Sequence, residues 1–465
     1  MVAIPLLSGV TMSEIADFNQ AYPINLEPVQ IESGISNGYV RSAGGAVAMG
    51  TGPGIDRGGI NWNGTLYRVM GTKLVSVSMD GTVTTLGDVG PGGMVAMDYG
   101  FDRLAIQSGT SLYYWNGTEL TQVTDTDLGP SLDVVWMDGY YISTDGTSII
   151  VTDLSDPMSV DPLKYGSAEA DPDMVTGLLR LRSELYVLGQ NTIQIYTDQG
   201  GTVFPFAVNP GATIPIGCVG PRAKCLFSQT FAFCGSGRNH APAIWLADGG
   251  SALKLSTRAI DDMLAEVADL STVQLEARVS RDEQRLFVHL PDRTLVYLQM
   301  ASQQADKPVW YVCRSGRGLD KAYRPRNAIL AYGKWWVGDT ETAAIGVLDD
   351  GTASHFGEAA GWQFITQLLY NQTNSAIVHS LELVGLPGRH QSVPEPGALL
   401  SYSLDGETWS MERANSLGKP ANRTKRVVFN THKRFRNYIT FRFRGDSDAL
   451  ASWASLEADI EPLNA

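Results

Sequence analysis

The sequence predicts an all-β protein: a β-propeller with an additional C-terminal β-sandwich-like module. Three observations predict it. Glycine is abundant, at 49 of 465 residues, and only 18 % of residues are charged. So much glycine beside many Tyr, Trp and Thr suits short strands joined by tight turns. From about Val40, short apolar runs alternate with Gly, Asp-Gly and Asn-Gly turns at roughly the eight-to-twelve-residue spacing of sandwiches, barrels and propellers. Turn units also recur. Trp62-Asn63-Gly64-Thr65-Leu66-Tyr67 is echoed by Trp115-Asn116-Gly117-Thr118 and, more loosely, by Met137-Asp138-Gly139-Tyr140-Tyr141. A separation of roughly 40 to 50 residues between related units is the length of a propeller blade.

Residues 1–40 carry few strand signals and read as an extended N-terminal arm. Their apolar run, 2–7, has no basic region before it, which makes a poor signal peptide. Residues 41–354 form the propeller, with the blade count left open. Met79-Asp80-Gly81-Thr82, Thr144-Asp145-Gly146-Thr147 and Asp349-Asp350-Gly351-Thr352 supply further turns needing positive φ. One helix is expected over 256–267, where Ser256 can cap and apolar residues recur at helical spacing. Strands resume at 284–290 and 294–299, and Trp335, Trp336 and Val337 repeat the blade pattern. Residues 355–465 form the C-terminal β module, with strands at 376–384, 398–404 and 438–444 and a Pro- and Gly-rich loop at 386–397.

Composition narrows the chemistry. A hydrophobic fraction of 43 % is ample for a core. The formal net charge of −14 argues against affinity for DNA phosphates, which cationic side chains supply. It suits a wall past which DNA slides without sticking. The four cysteines form no Cys-x-x-Cys pair and the six histidines are scattered, so no metal site and no disulfide framework is expected. No run reaches the roughly eighteen apolar residues of a membrane span. The chain reads as a soluble protein made in a cytoplasm.

No catalytic residue and no cofactor site is assigned. Gly-x-Ser-x-Gly, Walker A and His-Glu-x-x-His motifs are missing. Gly235-Ser236-Gly237 is the nearest approach to the first and reads as a flexible turn. Asp153, Asp156, Asp161, Glu169, Asp171 and Asp173 could supply a two-carboxylate hydrolase. Most of them flank Asp-Pro turns, so a loop-structuring role is favoured. Ser403-Leu404-Asp405-Gly406-Glu407-Thr408-Trp409 is one residue short of an Asp-box, itself a hairpin-turn device.

The one candidate interface is basic. Arg423, Arg426, Arg434, Arg436, Arg442 and Arg444 crowd one stretch of an acidic chain. A subunit or partner interface built on Arg–carboxylate pairs is the favoured reading. A solvated strand face and a DNA-phosphate contact stay open.

A family resemblance rests on particular residues. They are Ile149-Ile150-Val151-Thr152-Asp153-Leu154-Ser155-Asp156-Pro157; Leu163-Lys164-Tyr165-Gly166-Ser167-Ala168-Glu169-Ala170-Asp171-Pro172-Asp173; Leu185-Tyr186-Val187-Leu188-Gly189; and Asn191-Thr192-Ile193-Gln194-Ile195-Tyr196. Gly38-Tyr39-Val40-Arg41-Ser42 with Asp56-Arg57-Gly58, the run 66–74, Leu286-Phe287-Val288-His289-Leu290-Pro291 with Leu295-Val296-Tyr297, and Gly338-Asp339 follow in the same order. The chain resembles the packaged-DNA stabilisation, or tail hub (nozzle), proteins of podoviruses related to the Salmonella short-tailed phages. The resemblance covers most of the chain to about residue 350 and is weak beyond.

It implies a non-enzymatic structural protein of the virion tail, assembled in the host cytoplasm. Six copies would form a ring below the head-to-tail adaptor protein, extending and closing the DNA channel. Tail needle and tailspike or tail fibre would dock there, and genomic DNA would pass without sequence-specific binding. It also implies Gly38 and Gly71 as tight turns, and Arg41 and Arg68 as inter-blade or inter-subunit pairs. The alternative from a different class is a virion carbohydrate-binding or depolymerase propeller.

Overall fold

Strands make almost all of the regular structure in the computed structural model, which describes residues 2–7, 9–12, 18–30, 38–154, 156–167, 173–201, 203–280, 283–372, 374–390 and 395–463. Two units separate by their internal contacts. One holds Ala48–Pro291 and Pro325–Val347; the other holds Met1–Val47, Asp292–Arg324 and Leu348–Ala465.

The first unit is the propeller. Four antiparallel four-stranded sheets follow one another, beginning at the strands Asp56–Trp62, Ala96–Tyr99, Asp133–Met137 and Val175–Leu181. A fifth sheet of five strands runs from Gly217–Cys218 to Ser251–Lys254. The hairpin Gln274–Ser280 with Glu283–His289 comes next. The last sheet joins Pro325–Ala331, Lys334–Asp339 and Ala344–Asp349 to Gly45–Thr51, a strand from far earlier in the chain. Gly52 N–H donates to Ala343 O at 2.9 Å, so backbone hydrogen bonds close the ring.

Asn63 and Gly64 both adopt positive φ (50° and 76°), as do Asp138 and Gly139 (51° and 94°). This is the geometry that matches the twist of paired strands. Each pair joins the first two strands of its sheet. Asn116-Gly117 instead joins the last two strands of its sheet, and there the Asn116 side chain accepts from the amides of Thr118 and Glu119. Similar turn chemistry thus occupies different corners of different blades, which is why the turn spacing leaves the blade count open.

Apolar side chains fill the space between successive sheets. Leu66, Met70 and Val75 pack with Trp336 and Ile345, while Val69 and Leu74 pack with Leu104 and Ile106. Each such side chain contributes about 2 kcal/mol by leaving water. The expected helix is shorter than 256–267: it spans Arg258–Ala265, buries Ala259, Ile260 and Leu264, and follows Thr257, which makes no side-chain cap. Ser256 bonds Asp261 instead of capping.

The second unit is a β-sandwich. One sheet orders Leu26–Gln30, Gly38–Ser42, Ser452–Pro462, Ala376–Gly385 and Val427–Phe435, with Val2–Ile4 also on Ser452–Pro462. The other orders Trp362–Ile365, Tyr438–Gly445, Gly397–Ser403 and Arg413–Ser416. Trp362, Phe364, Phe429, Phe443 and Trp453 fill the space between them. The described part of the expected 386–397 loop carries no strand before Gly397.

The structure departs here from the extended arm expected over residues 1–40. Val2 pairs with Ala458, and Arg41 with Ser452. Short strands whose partners lie more than 400 residues away leave no local periodicity to read. A helix at Gln299–Ala305, in the same unit, also went unanticipated. No helix among the described residues is long and apolar enough to cross a membrane.

Candidate functional site

The basic stretch lies in the sandwich and turns a corner there. Val427–Phe435 belongs to one sheet and Tyr438–Gly445 to the other. Phe441 and Phe443 point inward and are fully buried, so the alternating Arg442 and Arg444 point outward. The six arginines therefore do not share one face.

Three of them are neutralised within the chain. Arg444 forks onto Glu412, with Nε and Nη2 at 2.5 and 2.7 Å from its two oxygens. Arg442 donates to Ser401 Oγ at 3.1 Å and lies 4.5 Å above the Trp409 ring. Its Nη2 is also 3.9 Å from Glu412. Desolvation pulls the Arg442 pKa down, and Glu412 partly restores it. Arg426 forks onto Glu382, whose carboxyl that hydrogen bond holds below the usual range.

The other three are exposed and meet no carboxylate among the described residues. Arg434 donates to Ser375 Oγ at 3.2 Å, and Arg423 to the carbonyl of Pro387 at 2.9 Å. Arg436 makes no hydrogen bond or ion pair among the described residues. Arg434, Arg436, Ser375, Leu404 and Tyr438 border a shallow concavity of about 420 Å³. Forked donors beside a hydroxyl and an apolar rim suit a carboxylate-bearing surface.

The acidic residues of 153–173 structure loops. Asp153 pairs with Lys164 at 2.5 Å. Asp156 and Asp161 accept from the amides of Met158 and Leu163, and Asp173 from that of Thr192. Glu169 and Asp171 lie outside the described residues. Asp405 accepts from the amides of Glu407 and Thr408, so the Asp-box-like segment is a turn device. Ser236 sits in the strand Thr230–Gly237 at a register shift, not in the flexible turn expected of it. The four cysteines are free thiols, and burial raises the pKa of Cys218, Cys225 and Cys234. No cluster of three or more His, Cys, Asp or Glu suited to a metal occurs among the described residues.

Composition and spacing alone gave no hint of the buried ion-pair centres of the propeller. Asp133, at the start of the third sheet, receives Lys224 and Arg222 from the fifth and the Leu178 amide from the fourth. Arg222 reaches Gln107 of the second sheet at 2.8 Å. Asp56 takes a fork from Arg68, and Asn327 of the closing sheet bonds the same carboxylate. Arg68 is thus a pairing residue at a junction of sheets. Arg41 pairs with Glu27 on the adjacent strand of its own sheet. Gly71 is a turn with φ +62°, whereas Gly38 lies within a strand.

Two family models match in succession: bacteriophage P22 Gp10, beta-propeller, over residues 2–353, and bacteriophage P22 Gp10, beta-sandwich, over residues 361–461. The chain belongs to the bacteriophage P22 Gp10 family. Tail hub protein gp10 of Salmonella phage P22 is 26 % identical to it over 465 residues, covering 95 % of each chain. Homology to a tail hub protein supports a structural, non-enzymatic role for this Gp10-family chain. Among solved structures, the N-terminal domain of Nup159 covers 71 % of the chain and 99 % of its own at 10 % identity, with a TM-score of 0.42. The Pan2 WD40 domain of Neurospora crassa covers 67 % and 98 % at 11 % identity, also with a TM-score of 0.42.

Proposed function

We propose that the protein is a tail hub of a short-tailed phage, present as six copies in a ring below the head-to-tail adaptor. The single observation that carries this reading is its end-to-end relationship, propeller and sandwich together, to a phage tail hub protein. The ring extends and closes the DNA channel and gives the tail needle and the tailspikes or fibres a place to dock. A propeller braced by buried ion pairs offers rigid faces, and a contact repeated by rotation closes into a ring.

The unpaired Arg423, Arg434 and Arg436 are the part of the basic stretch available to meet acidic surface on a neighbour. The lumen is acidic, in keeping with the net charge of −14, so DNA slides through without a sequence-specific hold.

The test is the mass of the purified chain, alone and mixed with the portal–adaptor complex of the same phage. A gain of about six copies, with a ring in negative stain, is expected. No gain on a competent adaptor overturns the proposal.

A further inference from the structure

Two histidines on one sheet of the sandwich, His432 exposed and His379 half-buried, converge on a single point. His379 lies in the strand Ala376–Gly385, and His432 in the neighbouring strand Val427–Phe435. Their Nδ1 atoms are 3.3 Å apart. The register that pairs Val378 with Lys433 sets His379 opposite His432, and two backbone irregularities lie at this point. The strand bearing His379 shifts register between Val378 and Ser380 against both of its neighbours. Such a bulge re-aims a side chain. His432, opposite, adopts φ +45°, an uncommon conformation inside a strand.

The distance has a chemical meaning. Two imidazole nitrogens bound to one tetrahedral ion at about 2.0–2.1 Å stand roughly 3.3 Å from each other. The far side of His379 is fixed as well: its Nε2 lies 2.8 Å from Glu461 Oε2. A carboxylate on Nε2 keeps the proton there and leaves the Nδ1 lone pair free, the usual outer support of a metal-bound histidine.

We propose that His379 and His432 bind a divalent late-transition-metal cation such as Zn²⁺ through their Nδ1 atoms, with Glu461 as the outer-sphere carboxylate. Imidazole donors suit Zn²⁺, Ni²⁺ and Cu²⁺. Without a cation, one Nδ1 carries the proton that the other accepts. On binding, that proton moves to the far nitrogen of its own ring, and both lone pairs face the metal. No third His, Cys, Asp or Glu joins the pair among the described residues, so water fills the remaining positions and the ion exchanges readily. The site uses none of the arginines assigned to assembly.

The experiment is calorimetric titration of the full-length, tag-free chain with Zn²⁺, followed by Co²⁺ absorption spectroscopy. One equivalent should bind, and His379→Ala and His432→Ala should each weaken binding by about tenfold or more. Glu461→Gln should weaken it by about 10- to 100-fold while both ligands remain. His240→Ala, at an exposed histidine outside the pair, should change nothing. His432→Asn keeps a residue tolerant of positive φ, so a loss of binding with an unaltered unfolding midpoint is loss of a ligand. Zn²⁺ binding that survives in the double variant His379→Ala/His432→Ala, or no saturable binding to the unaltered chain, overturns the proposal.

Discussion

Lys224 Nζ lies 2.6 Å from Asp133 Oδ2, joining two sheets of the propeller across 91 residues of sequence. Burial by itself raises the pKa of the Asp133 carboxyl, but the charges of Lys224 and Arg222 outweigh it and the net shift is downward. Asp133→Asn leaves both cations with no carboxylate partner in a nearly dry site. The expected loss is about 3–5 kcal/mol, because an uncompensated buried charge costs far more than the pair contributes. Urea unfolding measures it. A loss below about 1 kcal/mol would mean that the cluster does not brace these sheets.

Acid should weaken the propeller in a definable window. Burial, only partly offset by Glu276, pushes the His289 pKa down to about 4. The unfolded chain takes up this proton near pH 6.5 and the folded chain only near 4. Between those values the unfolded state holds more protons, so stability falls as pH drops, by at most about 1.4 kcal/mol per pH unit. Burial also opposes ionisation of Glu276, yet Arg278 and His289 hold its carboxyl well below the ordinary range. Its contribution persists through that window and is lost only at lower pH. His289→Gln should flatten the midpoint between pH 6.5 and 4.5, and an unchanged slope would remove His289 as the cause.

Charge reversal should separate assembly from stability. Arg434→Glu with Arg436→Glu breaks no ion pair, so the unfolding free energy should move by no more than about 0.5 kcal/mol. Ring formation or adaptor binding should fail, most clearly at low salt where surface charges are least screened. Arg444→Glu instead faces Glu412 with a like charge and should lower stability by about 1 kcal/mol. Normal assembly of the Arg434/Arg436 variant would take that corner out of the interface.

Glycine substitutions should divide by surroundings. A Cβ on Gly217 would meet Gln190 C at 2.1 Å and Asn191 N at 2.3 Å, all backbone that no rotamer can relieve. Gly217→Ala should cost about 3 kcal/mol. Gly64, with φ +76° and open space around it, should cost about 1 kcal/mol when changed to Ala. Thermal unfolding of the two variants side by side tests the order.

The alternation of Phe441 and Phe443 with Arg442 and Arg444, and the Asn63-Gly64 and Asp138-Gly139 turns, are local patterns. Period and turn chemistry state them directly, so the all-β class, the propeller, the separate sandwich and the single blade helix were legible in the sequence. Asp405 and the aspartates of 153–173 were legible as turn residues for the same reason. The six arginines could be located but not sorted, because Glu382 and Glu412, which neutralise three of them, are recognisable as partners only once the sheets are paired.

Non-local facts belong to the tertiary structure alone. Val2 finds Ala458, Gly45–Thr51 finds Ala344–Asp349, and Asp133 finds Lys224, each across a separation that no local periodicity records. The same holds for His379 and His432, which are 53 residues apart and set opposite each other by the pairing of their strands, beside a bulge and a left-handed residue. A strand's own residues determine which of its faces is apolar. Which strand lies beside it, and hence which charges and imidazoles meet, is decided by the closure of sheets over hundreds of residues.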